Sequence, residues 1–217
     1  MKTLKIALIA IGIIVGINLA VTGINIAQKG GSYKGKSPAD ILGKDPATAT
    51  VEDLLKLSKA DFVQLFYAVS APGIDDLQGE YIAQNHPGGI MAPAVQAYTD
   101  NFFGPGKWTG KAFRAVDKTR GEGYNIFAAE KDGQKTLVRT RKIATSIGPS
   151  EYDGKNSYKL NYSLYNGGVV HSMRDELRKL NDSVYIGLGC MGLGGGAINP
   201  SLFIISGKPE PWVGADK

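Results

Sequence analysis

The strongest constraint in the sequence is a run of 23 residues without a charge, Ile6 to Gln28, built mainly from Ile, Leu, Val, Ala and Gly. In hydrocarbon a backbone must satisfy its own N–H and C=O groups, and a helix does so within one segment. At about 1.5 Å per residue, a helix of that length crosses the ~30 Å bilayer core. Residues 1–28 are therefore expected to form a single transmembrane anchor. A cleaved signal peptide is the alternative, with Lys2 and Lys5 as a basic n-region and Val21-Thr22-Gly23 as a small-residue cleavage site. However, the apolar run continues past that site through Ile24 and Ile26. A short N-terminal tail ahead of the run is the usual sign of a signal anchor, which places the domain outside the cytoplasm, in the periplasm. Lys29, Lys34 and Lys36 oppose this orientation from the other flank, unless they simply touch lipid headgroups.

Within the run, Gly12 and Gly16 form G-x-x-x-G, Ala20 continues the ridge, and Asn18 and Asn25 share another stripe. Small residues let helices approach and amides hydrogen-bond across the contact, so these five are candidate packing positions toward a transmembrane partner. Chance in a glycine-rich apolar run is the plainer account, although two asparagines facing lipid would be costly.

Of the formal net charge of +5, Lys2 and Lys5 supply two, leaving +3 with no basic stripe and no expectation of nucleic-acid binding. The single cysteine, Cys190, excludes an internal disulfide, and two histidines are too few for most zinc sites, so no metal is assigned. Residues 29–49, rich in Gly, Lys, Ser and Pro, read as a flexible tether, and 50–217 as one domain. Thr50-Val-Glu-Asp53 and Ser58-Lys-Ala-Asp61 resemble capping boxes that open helices over 51–57 and 59–69. The second has Phe62, Leu65, Phe66 and Val69 on one face.

Beyond Pro72-Gly73 the turn signals fall at strand spacing: Asp132-Gly133, Gly148-Pro149-Ser150, Asp153-Gly154, Asn166-Gly167-Gly168 and Asn181-Asp182. They delimit strands over 78–84, 107–116, 122–130, 135–147, 156–165, 169–180, 183–189 and 201–206, with a helix at 94–103. Short turns between consecutive strands make an antiparallel meander, and about eight such strands can close into a barrel. Tyr158, Leu160, Tyr162 and Leu164 alternate with polar residues and are expected inside, as are Val169, His171, Met173, Asp175 and Leu177. In 135–147, Leu137, Arg139, Arg141, Ile143 and Ile147 share one parity, which is either an inner face or a solvated rim.

Gly106-Lys107-Trp108-Thr109-Gly110-Lys111-x-Phe113 resembles the G-x-W-x-G/K-x-F strand of uncharacterised bacterial lipocalin-like proteins. The helix followed by Gly79-Glu80-Tyr81 is similar to theirs, as are Leu160-x-Tyr162, Arg174–Arg178 and Val184–Gly189. The resemblance covers roughly 60–206 through short, degenerate pieces. It implies a calycin-type barrel, a fold often used for apolar ligands, and carries over no catalytic residue. Some barrels with a G-x-W-x-G strand hold haem through a histidine, which makes His171 a candidate axial ligand; otherwise no cofactor is expected.

Gly187-Leu-Gly189-Cys-Met-Gly192 matches G-x-G-x-x-G, but Gly194-Gly195-Gly196 and Asn199-Pro200 follow where a dinucleotide site needs a helix. These glycines read instead as a barrel corner or ligand-approach loop. His171 and Asp175, four residues apart on a strand, would be separated by about 13 Å and could not form a catalytic pair. His86 reads as a turn residue, Cys190 as a small buried residue, Trp108 as core, and Trp212 as a tail residue across the barrel end.

The expected fold is mainly β: a lipocalin-like barrel with short N-terminal helices, preceded by the transmembrane helix. The expected function is binding of a lipid or other apolar small molecule, with Arg139, Arg141, Tyr158, Tyr162, His171, Met173 and Asp175 as candidate ligand contacts. The alternative is an accessory subunit docked through its helix, and an enzyme on a lipid-like substrate ranks last. A cavity of at least ~300 Å³ would favour the binder and a filled interior the subunit.

Overall fold

The computed structural model describes residues 2–131 and 133–216, apart from the side chains of 2–11, 14, 131 and 193. Helix α1 (Lys2–Ala27) precedes α2 (Pro38–Leu42), α3 (Val51–Leu55) and α4 (Lys59–Ala68). Eight strands follow: β1 (Gly79–Asn85), β2 (Lys107–Ala115), β3 (Arg120–Lys131), β4 (Gln134–Pro149), β5 (Asn156–Asn161), β6 (Arg174–Asn181), β7 (Val184–Cys190) and β8 (Ser201–Glu210). Helix α5 (Ala92–Asn101) lies between β1 and β2. Each strand pairs antiparallel with the next and β8 pairs with β1, so the expected eight-stranded antiparallel barrel closes with no free edge. Asp132, half of one expected turn, lies outside the described residues.

Two bulges decide which side chains enter the barrel. Trp108 and Phe113 both belong to the inner core although they stand an odd number of positions apart, which strict alternation forbids. The register of β2 on β3 slips between Trp108 and Gly110, and the extra residue brings Lys111 onto the inner face with Phe113. In β4, Gly123 pairs with Ile143 but Asn125 with Thr140, so Arg141 and Lys142 together oppose Tyr124. Arg141 adopts φ 55, a left-handed conformation that L residues avoid. Ile143 and Ile147 therefore pack inside while Leu137 and Arg139 point outward. The shared face expected for Leu137, Arg139, Arg141 and Ile143 does not form, because the bulge changes parity midway.

Strands β7 and β8 are covered on both sides. Outside, Val184, Ile186, Leu188, Leu202 and Ile204 pack against Leu54, Phe62, Leu65 and Phe66 of the helical layer. Both expected caps form: Thr50 and Asp53 exchange hydrogen bonds as a capping box at α3, and Ser58 accepts from the Asp61 N–H at α4. Residues 29–49 are docked rather than free. Ser37 and Asp40 cap α2, whose Ile41 and Leu42 pack on this outer core. Asn181 Nδ2 donates to the carbonyls of Pro46 and Ala49, each at 3.0 Å. Trp212 lies on the outer wall against Tyr124, ring centroids 4.6 Å apart, rather than across the barrel end.

Among the described residues, helix α1 is held to the domain near its C-terminus. Gly12 and Gly16 have no atom within 4 Å of a Cβ built on them, and Asn18 and Ala20 are exposed. Asn25 is buried: its Nδ2 donates to Asn199 Oδ1 at 2.5 Å and its Oδ1 accepts from the Met91 N–H at 3.4 Å. Among the residues whose side chains are described, no stretch is long and apolar enough to cross a membrane. The uncharged run Ile6–Gln28 falls partly outside them.

Candidate binding cavity

Between α5, the end of α1 and the β7–β8 connection, the barrel interior is hollow, with a cavity of about 220 Å³. Its wall is apolar and soft: Met91, Val95, Phe103, Trp108, Met173 and Phe203. The opposite end is filled by Phe113, Tyr158, Leu177 and Tyr185. The volume is below the ~300 Å³ expected of a binder, while the other half of the interior is filled, so the cavity falls between the two readings.

A polar network forms the cavity floor. Lys111, buried, donates to Asp175 Oδ2 at 3.0 Å and Asn125 Oδ1 at 2.9 Å, and also to the Tyr162 hydroxyl. Tyr162 passes its own proton to Asp175 Oδ2 at 2.9 Å, and Trp108 Nε1 donates to Asn125 Oδ1 at 3.1 Å. The Lys111 Nζ also lies 5.2 to 5.3 Å from the ring centres of Trp108, Tyr162 and Phe203, close enough for cation–π attraction. Burial pushes the Lys111 ammonium below its ordinary range, and Asp175 opposes that shift. Burial, then the charge of Asp175, holds the Tyr162 hydroxyl well above its ordinary range and so neutral. As an ammonium, Lys111 has an acceptor for each of its three hydrogens.

Two residues of the cavity wall carry a polar atom with no hydrogen-bond partner among the described residues. Asp175 Oδ1 makes no hydrogen bond among the described residues, although only 6% of the side chain is exposed. It points at Gly189, where a Cβ would stand 2.7 Å away. The Tyr98 hydroxyl of α5 is buried without a partner. The glycines of G-x-G therefore act within β7, not in a loop: Gly189 admits Asp175, and a Cβ at Gly187 would collide with the Phe203 ring.

Of the expected ligand contacts, Met173 and Asp175 line the cavity, and Tyr162 supports its floor. Tyr158 lies in the filled core with its hydroxyl on Thr145 Oγ1 at 3.0 Å. Arg141 sits beside the rim, its Nε donating to the Phe103 carbonyl at 2.7 Å. Arg139 is on the outer wall, paired with Glu80 at 2.7 Å, so the expectation that it faces inward is corrected. His171 is also outside: residues 168–172 form an exposed 3₁₀ turn rather than the start of a strand, and the ring reaches only the Asn166 carbonyl at 3.2 Å. Its imidazole does not face the cavity as an axial ligand would have to. Burial raises the Cys190 thiol to about 11, so it stays protonated at the rim.

Lys111, Asn125, Tyr98 and the docking role of Asn25 escaped the sequence reading. The odd spacing of Trp108 and Phe113 was the available signal for Lys111, since two inward aromatics at that spacing require a bulge between them.

No family model and no curated protein matches the chain. Among solved structures, a crystal structure of a protein from Thermomonospora curvata aligns at 15% identity over 67% of this chain and 84% of that one, with a TM-score of 0.44. A likeness at that level carries nothing further.

Proposed function

We propose that this is a calycin-type, membrane-anchored binding domain whose barrel takes a small apolar molecule, or the end of a lipid, bearing a hydroxyl or N–H donor. One observation carries the reading: Asp175, a residue of the cavity wall with 6% of its side chain exposed, has one carboxylate oxygen, Oδ1, without a hydrogen-bond partner among the described residues. Buried acceptors are normally satisfied, and an open one facing a cavity fits a ligand donor. The α1 segment, uncharged from Ile6, supports the anchor.

The test uses the full chain in mild detergent with Trp212→Phe, so that Trp108 reports on the cavity. A long-chain alcohol should shift the Trp108 emission at lower concentration than its methyl ether does. A hydrogen bond to a charged group is worth about 1.5–3 kcal/mol, or roughly ten- to a hundredfold in affinity. Asp175→Asn should narrow that gap. Equal binding of alcohol and ether overturns the proposal. The accessory-subunit reading draws on the filled half of the barrel and the uncovered Gly12–Gly16 face. Native mass spectrometry of the purified chain separates the two by showing a retained small molecule or a retained protein.

A further inference from the structure

The two ends of the barrel differ in chemistry. At the cavity end, the connections 86–106, 132–133, 162–173 and 191–200 hold two charged residues among them, Asp100 and Asp132, histidines aside, with Glu130, Lys131 and Lys135 flanking the second. At the far end, the connections 116–119, 150–155 and 182–183 hold Asp117, Lys118, Glu151, Asp153, Lys155 and Asp182, half of their residues. The cavity end also carries bare apolar side chains: Ile90, Phe102, Leu164, Tyr165, Val169 and Ile198 are all at least 43% exposed, and Phe102 reaches 72%. These side chains come from three separate connections, so they ring the mouth rather than mark one local irregularity. Exposed apolar side chains gathered at one end in this way fit a contact with a membrane.

Helix α1 leaves the domain at this same end. Its last turns are held there by Asn25 on Asn199 and Met91, and by Gln28 Oε1, which accepts from the Ile90 N–H at 2.8 Å. After α1 the chain turns away from the mouth and runs along α4. Tyr33 stacks edge-on with Tyr67, and Lys155 of a far-end turn lies 4.8 Å over the Tyr33 ring. Lys34 is held against α4, its N–H donating to Gln64 Oε1 at 2.8 Å, while Lys29 and Lys59 stand beside the junction.

We infer that the apolar mouth of the barrel lies against the bilayer that holds α1, so that the cavity opens into the membrane and takes its ligand from the lipid phase. This rests on reading α1 as an anchor. A rim whose three long connections carry a single charge lies in the interfacial zone at small desolvation cost, with the β3–β4 hairpin reaching the headgroups, whereas the opposite end could not be placed there without stripping water from exposed charges such as Asp117, Glu151 and Asp182. The short reach of a helix docked directly on the mouth holds the rim at the surface from which α1 emerges. The cavity accommodates a chain end whose remainder stays among lipids. A volume of about 220 Å³ is sufficient for that purpose.

The experiment keeps the full chain and reconstitutes it into phosphatidylcholine vesicles, in a Cys190→Ser background. A bimane fluorophore is attached at Ile198→Cys or Leu164→Cys, and at Asp182→Cys as the far-end control, where the side chain is 96% exposed. The quencher is a nitroxide carried on lipid near the headgroups. The expected result is flotation with vesicles and quenching at positions 198 and 164 several-fold greater than at 182. Flotation with equal quenching at all three positions would overturn this orientation and leave the anchor standing. Failure to float would remove the anchor and the inference with it. Because all three sites are exposed, a circular-dichroism spectrum matching the unlabelled chain is expected for each variant, and it secures the comparison.

Discussion

Two buried ion pairs sit on opposite faces of β6, three residues apart in the chain. Arg178 points outward beneath α4, fully buried, with a fork onto Asp153 at 2.8 and 2.6 Å and a third hydrogen bond to the Phe66 carbonyl at 2.9 Å. Both Asp153 oxygens are used, and the guanidinium stacks 4.5 Å from the Phe66 ring centre, leaving only its Nε without an acceptor. Asp175 points inward to Lys111 with one oxygen engaged and the other open to the cavity. The first pair is closed on itself and ties the C-terminal end of α4 to the β4–β5 turn. The second is closed on the cation but open on the carboxylate. Similar burial with different completeness separates a structural pin from the pair that, under the proposed function, accepts a ligand's hydrogen bond.

Breaking the closed pair should be the most costly change. Arg178→Met leaves the Asp153 carboxylate without its partner and α4 without its terminal contact, so stability to urea should fall by about 3–5 kcal/mol. The Asp153 carboxyl sharpens this: burial alone would raise its pKa, but Arg178 holds it below the ordinary range. Its contribution is present above the unfolded-state carboxylate pKa and is lost as pH falls through the folded value. The open pair should behave differently. Lys111→Met or Asp175→Leu alone should cost about 3 kcal/mol by stranding the other charge, while the double variant should recover to within about 1 kcal/mol of the parent. It should nonetheless lose the preference for alcohol over ether. A double variant no more stable than the worse single one would mean that the pair is needed for folding rather than for binding.

How far the sequence reveals this contrast depends on parity. Turn residues marked all eight strands and the capping signals marked α3 and α4, because these are local effects of backbone geometry. Asp175 was correctly placed inside, since β6 keeps strict alternation through Asp175 and Leu177. Its partner was not, because Lys111 enters the barrel only through a bulge at Thr109–Gly110. The same kind of break at Arg141 turns Arg139 out to Glu80. A one-residue slip moves every later side chain to the other face, and periodicity alone does not show where the slip occurs. His171 was misplaced for a different reason: Gly167-Gly168 delays the strand to Arg174, so the alternation projected through Val169 and His171 has no strand to act on. The helix-packing positions divide similarly, with Asn25 used by the domain itself and Gly12 and Gly16 left uncovered.

A third ion pair, Arg139 with Glu80, is only partly shielded, with 18% and 9% of the two side chains exposed. It is expected to matter less than either buried pair. Arg139→Gln should cost about 1 kcal/mol, because solvent screens the charge and the C-terminal tail still holds β4 through the Asp216 carboxylate on the Arg139 N–H at 2.8 Å. Ligand affinity should not change, since the side chain is on the outer wall. A tenfold loss of affinity in this variant would show that the outer wall communicates with the cavity.

The smallest effect concerns a buried group with no charged partner. His86 reads in the sequence as a turn residue, yet it is buried against Phe62, ring centroids 4.5 Å apart. Its Nε2 lies 2.8 Å from the Leu54 carbonyl, and its Nδ1 accepts from the Gly88 N–H at 2.9 Å. Those partners require the neutral ring with hydrogen on Nε2, because a protonated Nδ1 would face another donor. Burial pushes the pKa below its ordinary value of 6.5, with the Leu54 bond opposing the shift. As pH falls, the unfolded chain therefore binds the proton before the native chain does. Native stability is fully present above about pH 6.5 and declines below it until the folded ring also titrates. Wild type should thus lose more thermal stability than His86→Gln between about pH 7 and pH 5, a window in which their shared carboxylates largely cancel in the difference. Hydrogen exchange should rise first at the Gly88 and Met91 N–H groups, because the loop that His86 fixes also receives Asn25 of α1. Parallel pH profiles for the two proteins would rule out a neutral, buried His86 as the group that sets this acid response.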